Sequence, residues 1–314
     1  MARIALAVAV CTVLGACGES APQPPAEPAG TGPSNAVAGG QIPTYERTFV
    51  FAGFTGDSIL LVPWMMRTSA RADSVLREAR GWLGRRGTWD AFFAENWATP
   101  PTRAPARVLP HGAMRLLVQE EDVIDGIIFG DGSRRLELAL GEVEATWGGP
   151  RGETIELVAG IAYIADQRVE GIVAHLARAS VGSTAPGGDW GLLVSGDSMR
   201  LVLAADIEHG GETEPVYRGY ADMGSQERLS TEVNVTWTTT EAFPPARRDV
   251  PVAWRLSTED GSLRGELRVV SSAIQAGTGP GPLLPVRALY EISGEVATPD
   301  GSYPVQGVFV HERR

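Results

Sequence analysis

Phe54-Thr55-Gly56-Asp57-Ser58 sets a serine behind a Gly-Asp pair, and Asp206-Ile207-Glu208-His209 spaces an acid and a histidine three apart. These are the residue types of acyl-transfer chemistry, in which a histidine held by a carboxylate takes the serine proton. The tripeptide recurs at Gly196-Asp197-Ser198, each time between apolar alternating runs, and no Gly-x-Asn-Asp block supplies an oxyanion hole. Both copies therefore read as hairpin turns.

The four histidines are His111, His175, His209 and His311. None forms an H-x-H or H-E-x-x-H pair, so no metal site is expected. His175 falls on the apolar run Ile172–Leu176 and reads as a satisfied wall residue. His311-Glu312 lies near the end of the chain, where a barrel strand can turn His311 into a cavity. The acidic run Glu120-Glu121-Asp122 with Asp125 lacks the glycine-spaced loop of calcium sites and reads as a solvated turn.

Composition excludes further classes. Both cysteines, Cys11 and Cys17, precede the folded region, which removes disulfides, thiolate metal sites and a cysteine nucleophile. All 27 basic residues are arginine, so Schiff-base and Walker-type lysine chemistry have no lysine, and no cofactor is expected. A net charge of −11 argues against nucleic acid as a partner.

The densest feature is aromatic. Phe49, Phe51, Phe54, Trp64, Trp82, Trp89, Phe92, Phe93 and Trp97 crowd together; such rings make core, or the wall of an apolar cavity. Trp64, Trp82, Trp89, Phe93 and Trp97, with His311, are the ligand-binding candidates.

The elements that must position these groups are mostly strands. Val233, Val235 and Trp237 alternate with polar neighbours, as do Leu263, Leu267 and Val269, and Leu136, Leu138 and Leu140. Asp131-Gly132, Asp260-Gly261 and Asp300-Gly301 punctuate the runs as turns. This predicts an all-β chain of antiparallel barrels or sandwiches. Between Ser69 and Ala98 the spacing turns helical, with Val75, Leu76, Ala79, Trp82 and Leu83 followed by Trp89, Phe92, Phe93 and Trp97. It predicts a helical hairpin near residues 69–98, capped at Ser69 and Thr88 and lying across a barrel mouth. Gly182–Gly188 (GSTAPGG) divides the region into two β lobes, 42–185 and 186–314. Each lobe opens on similar runs, FVFAGFTGDSILL and WGLLVSGDSMRLVL, a sign of internal duplication.

The N-terminus carries an address. Arg3, the apolar run Ile4–Leu14 and Leu14-Gly15-Ala16-Cys17 resemble the signal and lipobox of bacterial lipoproteins. The resemblance implies cleavage within 1–17, lipid on Cys17, and a partner in the bilayer through that acylated cysteine. Residues 18–41, rich in Pro, Ala, Gly and Ser, read as a flexible linker. Gly18, rather than Asp, follows the cysteine and favours the outer over the inner membrane.

The C-terminal half runs from Trp190-Gly191-Leu192-Leu193 with Gly196-Asp197, through Trp237, to Val250-Pro251-Val252-Ala253-Trp254-Arg255-Leu256 before Leu263–Val269. It closes on Tyr290–Val296, Tyr303–Gly307 and His311-Glu312. In this order of motifs it resembles the AttH/hydroxyneurosporene-synthase-like family. It implies two lipocalin-like lobes, and a choice among three functions. These are a tethered carrier of an apolar small molecule in the cell envelope, a carotenoid-hydratase-like enzyme, and a structural lipoprotein without a cavity. For the enzyme it implies Glu291, Glu312 and Tyr290 as acid and supporting groups.

Overall fold

Alternating residues joined by glycine turns carry most of the described residues into strand. The computed structural model describes residues 42–120, 123–149, 152–181, 188–196, 198–206, 216–223 and 228–313. The anchor, the linker, the Gly182–Gly187 part of the joint and His209 lie outside them. The first lobe holds β1 (Pro43–Thr55), β2 (Ser58–Ala70), β3 (Val75–Arg85), β4 (Thr88–Thr99) and β5 (Met114–Val118). It continues with β6 (Ile124–Gly130), β7 (Arg135–Gly148), β8 (Thr154–Ile164) and β9 (Gln167–Val181). The second lobe holds β10 (Trp190–Ser195), β11 (Met199–Asp206), β12 (Val216–Asp222) and β13 (Arg228–Phe243). It ends with β14 (Arg248–Ser257), β15 (Arg264–Ala276), β16 (Val286–Thr298) and β17 (Gly301–Arg313).

The first nine strands form one antiparallel sheet in the order β4-β3-β2-β1-β9-β8-β7-β6-β5. The last eight form a meander that closes when β17 pairs with β10. The fold is thus all-β, with two antiparallel lobes. Turn chemistry is visible at the hairpin tips: Asp131 Oδ1 accepts the N–H groups of Ser133 and Arg134, and Asp260 Oδ1 that of Ser262. Gly56-Asp57 closes β1 on β2, with Thr55 opposite Ser58 and Gly56 at φ 62°, so this Gly-Asp-Ser is a turn.

The helical hairpin is not there. Residues 75–99 are the β-hairpin β3–β4, turned by Arg86-Gly87, both at positive φ as a tight two-residue loop requires. Thr88 does not cap a helix; its hydroxyl donates to the Arg85 carbonyl at 2.8 Å and braces that turn. The apparent helical period has two causes. A bulge between Gly81 and Trp82 leaves Phe92 as an extra residue, so Phe92 and Phe93 are both buried. In addition β3 buries residues on both faces, Ala79 inward and Trp82 toward the other lobe, which erases simple alternation.

Three apolar layers follow. Phe49, Phe51, Trp64 and Phe129 fill the first lobe, and Leu203, Tyr217, Trp254 and Phe309 fill the barrel. Leu61, Leu157, Trp190, Leu192, Val308 and Val310 form the layer between the lobes. Charge crosses that interface as well. Glu46, 1% exposed, takes Arg67 and Arg178 at 2.9 Å each, and Arg67 reaches Glu312 of the barrel at 3.2 Å. Arg287 completes the bridge, to Glu312 at 2.5 Å and Glu78 at 3.1 Å.

Candidate functional site

Strand register builds a polar array on the inner wall of the first lobe. His175 on β9 sits opposite Phe49 on β1 and opposite Glu156 on β8. Arg47 is two residues before Phe49 and so shares its face. His175 Nδ1 lies 2.8 Å from Glu156 Oε2, and Arg47 Nε and Nη2 lie 3.2 and 3.1 Å from His175 Nε2. A guanidinium can only donate, so Nε2 accepts and Nδ1 carries the proton given to Glu156. The ring is stacked on Phe49 at 4.3 Å. Burial, with help from Arg47, pushes the imidazole below its ordinary value of 6.5 despite Glu156. The His175 hydrogen bond, with Arg47 nearby, holds the Glu156 carboxyl below its usual range. The array is a neutral imidazole between an anion and a cation.

This array lies in the wall of a cavity of about 620 Å³. Apolar residues supply most of the remainder, among them Phe49, Val108, Leu140, Val158 and Ala177. The side between β4 and β5, the two edges of the sheet, is crossed by residues 100–113. Thr68 Oγ1 donates to the Pro105 carbonyl at 3.0 Å, and Arg77 Nη1 to that of Arg107 at 2.6 Å. Pro100 and Pro101 follow β4 directly. A larger cleft of about 840 Å³ runs along β14 to β17 and reaches Phe54 of β1 and Val194 of β10. Its walls mix the buried Trp254, Leu267 and Val305 with Arg255 and Glu266, both more than half exposed.

The sequence candidates are distributed otherwise. Trp64 and Phe93 lie 5.5 Å apart in the first-lobe core, with Phe129 beyond Phe93 at 6.2 Å. Trp82 and Trp89 belong to the layer between lobes. Trp97 stacks on His111 at 4.3 Å on the first-lobe side. These rings lie in the core or pack against it, and none of them is in the wall of the 620 Å³ cavity, which Phe49 and aliphatic groups share with Arg47, Arg107, Asp125, Glu156 and His175. Glu291 faces outward from the barrel interior, where Ser271 Oγ donates to it at 2.9 Å. Glu312 is engaged by Arg67 and Arg287.

His311 and Tyr290 do face the barrel interior, both fully buried. Asp189 Oδ1 and Oδ2 lie 3.0 and 2.9 Å from His311 Nδ1, and Tyr217 donates to Asp189 Oδ2 at 2.6 Å. His311 Nε2 and the Tyr290 hydroxyl have no hydrogen-bond partner among the described residues. Burial and the charge of Asp189 raise both tyrosines well above their ordinary value, so both keep their protons. Among the described residues no three His, Cys, Asp or Glu side chains converge as a metal site.

Arg47, Glu156, Asp189 and Tyr217 were not singled out from sequence. Arg47-x-Phe49, where the polar start of β1 meets its apolar run, is the available signal, because a charge on the inner face of a strand needs a partner.

No protein-family model matches this chain, and no curated protein does. Solved structures share its fold. The AttH-like protein of Nitrosomonas europaea superposes with a TM-score of 0.50 at 13% identity, over 86% of this chain and 92% of that one. Kievitone hydratase of Nectria haematococca superposes with a TM-score of 0.51 at 11% identity, over 86% of this chain and 87% of that one. At these identities the likeness establishes the two-lobed lipocalin-like architecture.

Proposed function

We propose that the chain is a membrane-tethered, lipocalin-like protein that holds an apolar small molecule in the first-lobe cavity, with one polar group against Glu156, His175 and Arg47. The observation that carries this reading is the 620 Å³ cavity itself. Its size falls within the roughly 300–1,000 Å³ of small-molecule sites, and apolar walls around a few convergent polar groups are their usual lining. Because Glu156 and Arg47 offset each other across a neutral ring, the array suits an uncharged hydroxyl or carbonyl better than a carboxylate. The lipobox-like Leu14–Cys17 supports an outer-membrane anchor in the cell envelope. A cavity of this size speaks against a purely structural lipoprotein.

One observation favours a second reading, a carotenoid-hydratase-like enzyme on a hydrophobic substrate. Asp189 fixes His311 by Nδ1 and leaves Nε2 for proton transfer in the same barrel as the protonated Tyr290. That enzyme works in the second lobe through His311 and Tyr290, rather than through Glu291 or Glu312.

Native mass spectrometry of the protein released from its source membrane separates the two. A carrier retains an apolar molecule one to one and releases it unchanged. Conversion of an added polyene into a species one water heavier supports the enzyme. A protein that holds no apolar molecule, natural or added, contradicts the carrier.

A further inference from the structure

We propose that Arg77 holds one small monovalent anion, of halide size, beneath the strap formed by residues 100–113. The inference is independent of the carrier reading.

Register sets Arg77 in a row on the inner wall of the first lobe. Tyr45 of β1 lies opposite Thr68 of β2, Thr68 opposite Arg77 of β3, and Arg77 opposite Trp97 of β4. Residues directly opposite one another share a face of the sheet. Arg77 is 3% exposed. A guanidinium carries five N–H donors and no acceptor. Here Nε donates to Thr99 Oγ1 at 3.0 Å and Nη1 to the Arg107 carbonyl at 2.6 Å, and both acceptors are neutral. Burial pushes the guanidinium below the ordinary arginine value, and among the described residues no carboxylate opposes that shift.

The acids beside this row face the other way. Glu46 follows Tyr45 and takes Arg67 and Arg178. Glu78 follows Arg77 and takes Arg287 and Arg80, at 3.1 and 3.4 Å. Successive strand residues alternate in face, so neither carboxylate comes to the inner wall. Farther along that wall, Arg47 is a second guanidinium, and Glu156 is engaged by His175. A buried charge is ordinarily matched by a counter-charge. Arg77 is left without one.

A small cavity supplies the place. Its volume is about 10 Å³, and its walls include Tyr45, Thr68, Arg77 and Trp97, with Val108 and Leu109 of the strap. That is room for about one water-sized occupant. A carboxylate or phosphate is too large, and a water leaves the charge unmatched. A single-atom anion suits the space and supplies the charge, where a low dielectric strengthens the attraction. The guanidinium is weakly hydrated, which lowers the cost of taking the pair out of water. With its charge matched, Arg77 holds the strap through the Arg107 carbonyl, and Arg107 and Val108 also wall the larger cavity. The anion is thus a clamp on that part of the cavity wall.

Chlorine-35 NMR of the full-length protein in detergent, with sodium chloride in excess, tests the site. The wild type is expected to broaden the chloride line beyond detergent alone, through one site per chain from which bromide displaces chloride. Sulfate at matched ionic strength is too large for the cavity and leaves the broadening in place. Arg77→Met is expected to reduce it at least several-fold. No excess broadening in the wild type overturns the proposal. Equal broadening in a folded Arg77→Met protein, or displacement by sulfate as readily as by bromide, also overturns it and assigns the ion to surface arginines. Where Arg77→Met does not fold, bromide-soaked crystals of the wild type decide by anomalous scattering. A peak within contact of the Arg77 guanidinium supports the site, and its absence overturns it.

Discussion

The ring of His175 lies flat against that of Phe49, centroids 4.3 Å apart and planes 4° apart, because β9 and β1 place the two residues directly opposite. Burial favours the neutral imidazole, and so does Arg47, which donates to Nε2. In an NMR titration the His175 ring is expected to protonate below 6.5. The folded pKa is depressed, so its contribution to stability is present above the unfolded value and is lost as pH falls through the folded one. His175→Phe keeps the stack and removes that component. Titration of His175 at or above 6.5 contradicts this.

Glu46 controls a lower pH range. Burial would raise its carboxyl, but Arg178 and Arg67 hold it down to about 2. Sign follows from linkage: this stability is complete above the ordinary value of 4.5 and is lost as pH falls toward 2. Glu46→Gln takes a counter-charge from the buried Arg178 and leaves Arg67 with Glu312 alone, at a cost of about 3–5 kcal/mol near neutral pH. Urea midpoints between neutral and acid pH are expected to show that loss together with a flatter acid limb in the variant. Equal midpoints contradict the account.

Strand was legible wherever one face is buried and the other wet, as at Val233–Trp237 and Leu263–Val269. The Asp-Gly turns were legible from chemistry that is local to them. The β3–β4 hairpin was not, because a bulge at Gly81/Trp82 and burial on both faces produced a spacing that reads as 3.6. The cavity was illegible for another reason. Arg47, Glu156 and His175 come from three strands, 109 and 19 residues apart in sequence, and only the β1–β9–β8 register brings them together. His175 could be read as a satisfied wall residue, but not which groups satisfy it.

The crowded aromatics should behave as core. Phe93→Ala removes a buried ring packed against Trp64 and Phe129 and should cost about 3–5 kcal/mol by chemical denaturation. Apolar-probe affinity is expected to stay unchanged in the folded variant. A Phe93→Ala protein of wild-type stability that loses the probe returns these rings to the ligand.

The proposed anchor depends on a single thiol, that of Cys17. Cys17→Ser is expected to abolish acyl labelling and to shift the protein from the membrane fraction. Continued labelling contradicts the lipobox reading.

The most direct test of the carrier fills the cavity. Ala177 lines it from β9, opposite Arg47 and Thr154, and Ala177→Trp places an indole inside it. Titration with an apolar fluorescent probe should show saturable one-to-one binding in the wild type. In the variant, affinity should fall by at least about tenfold, roughly 1.4 kcal/mol, with the denaturation midpoint retained. Equal probe affinity in the two proteins, or no saturable binding in the wild type, contradicts the account.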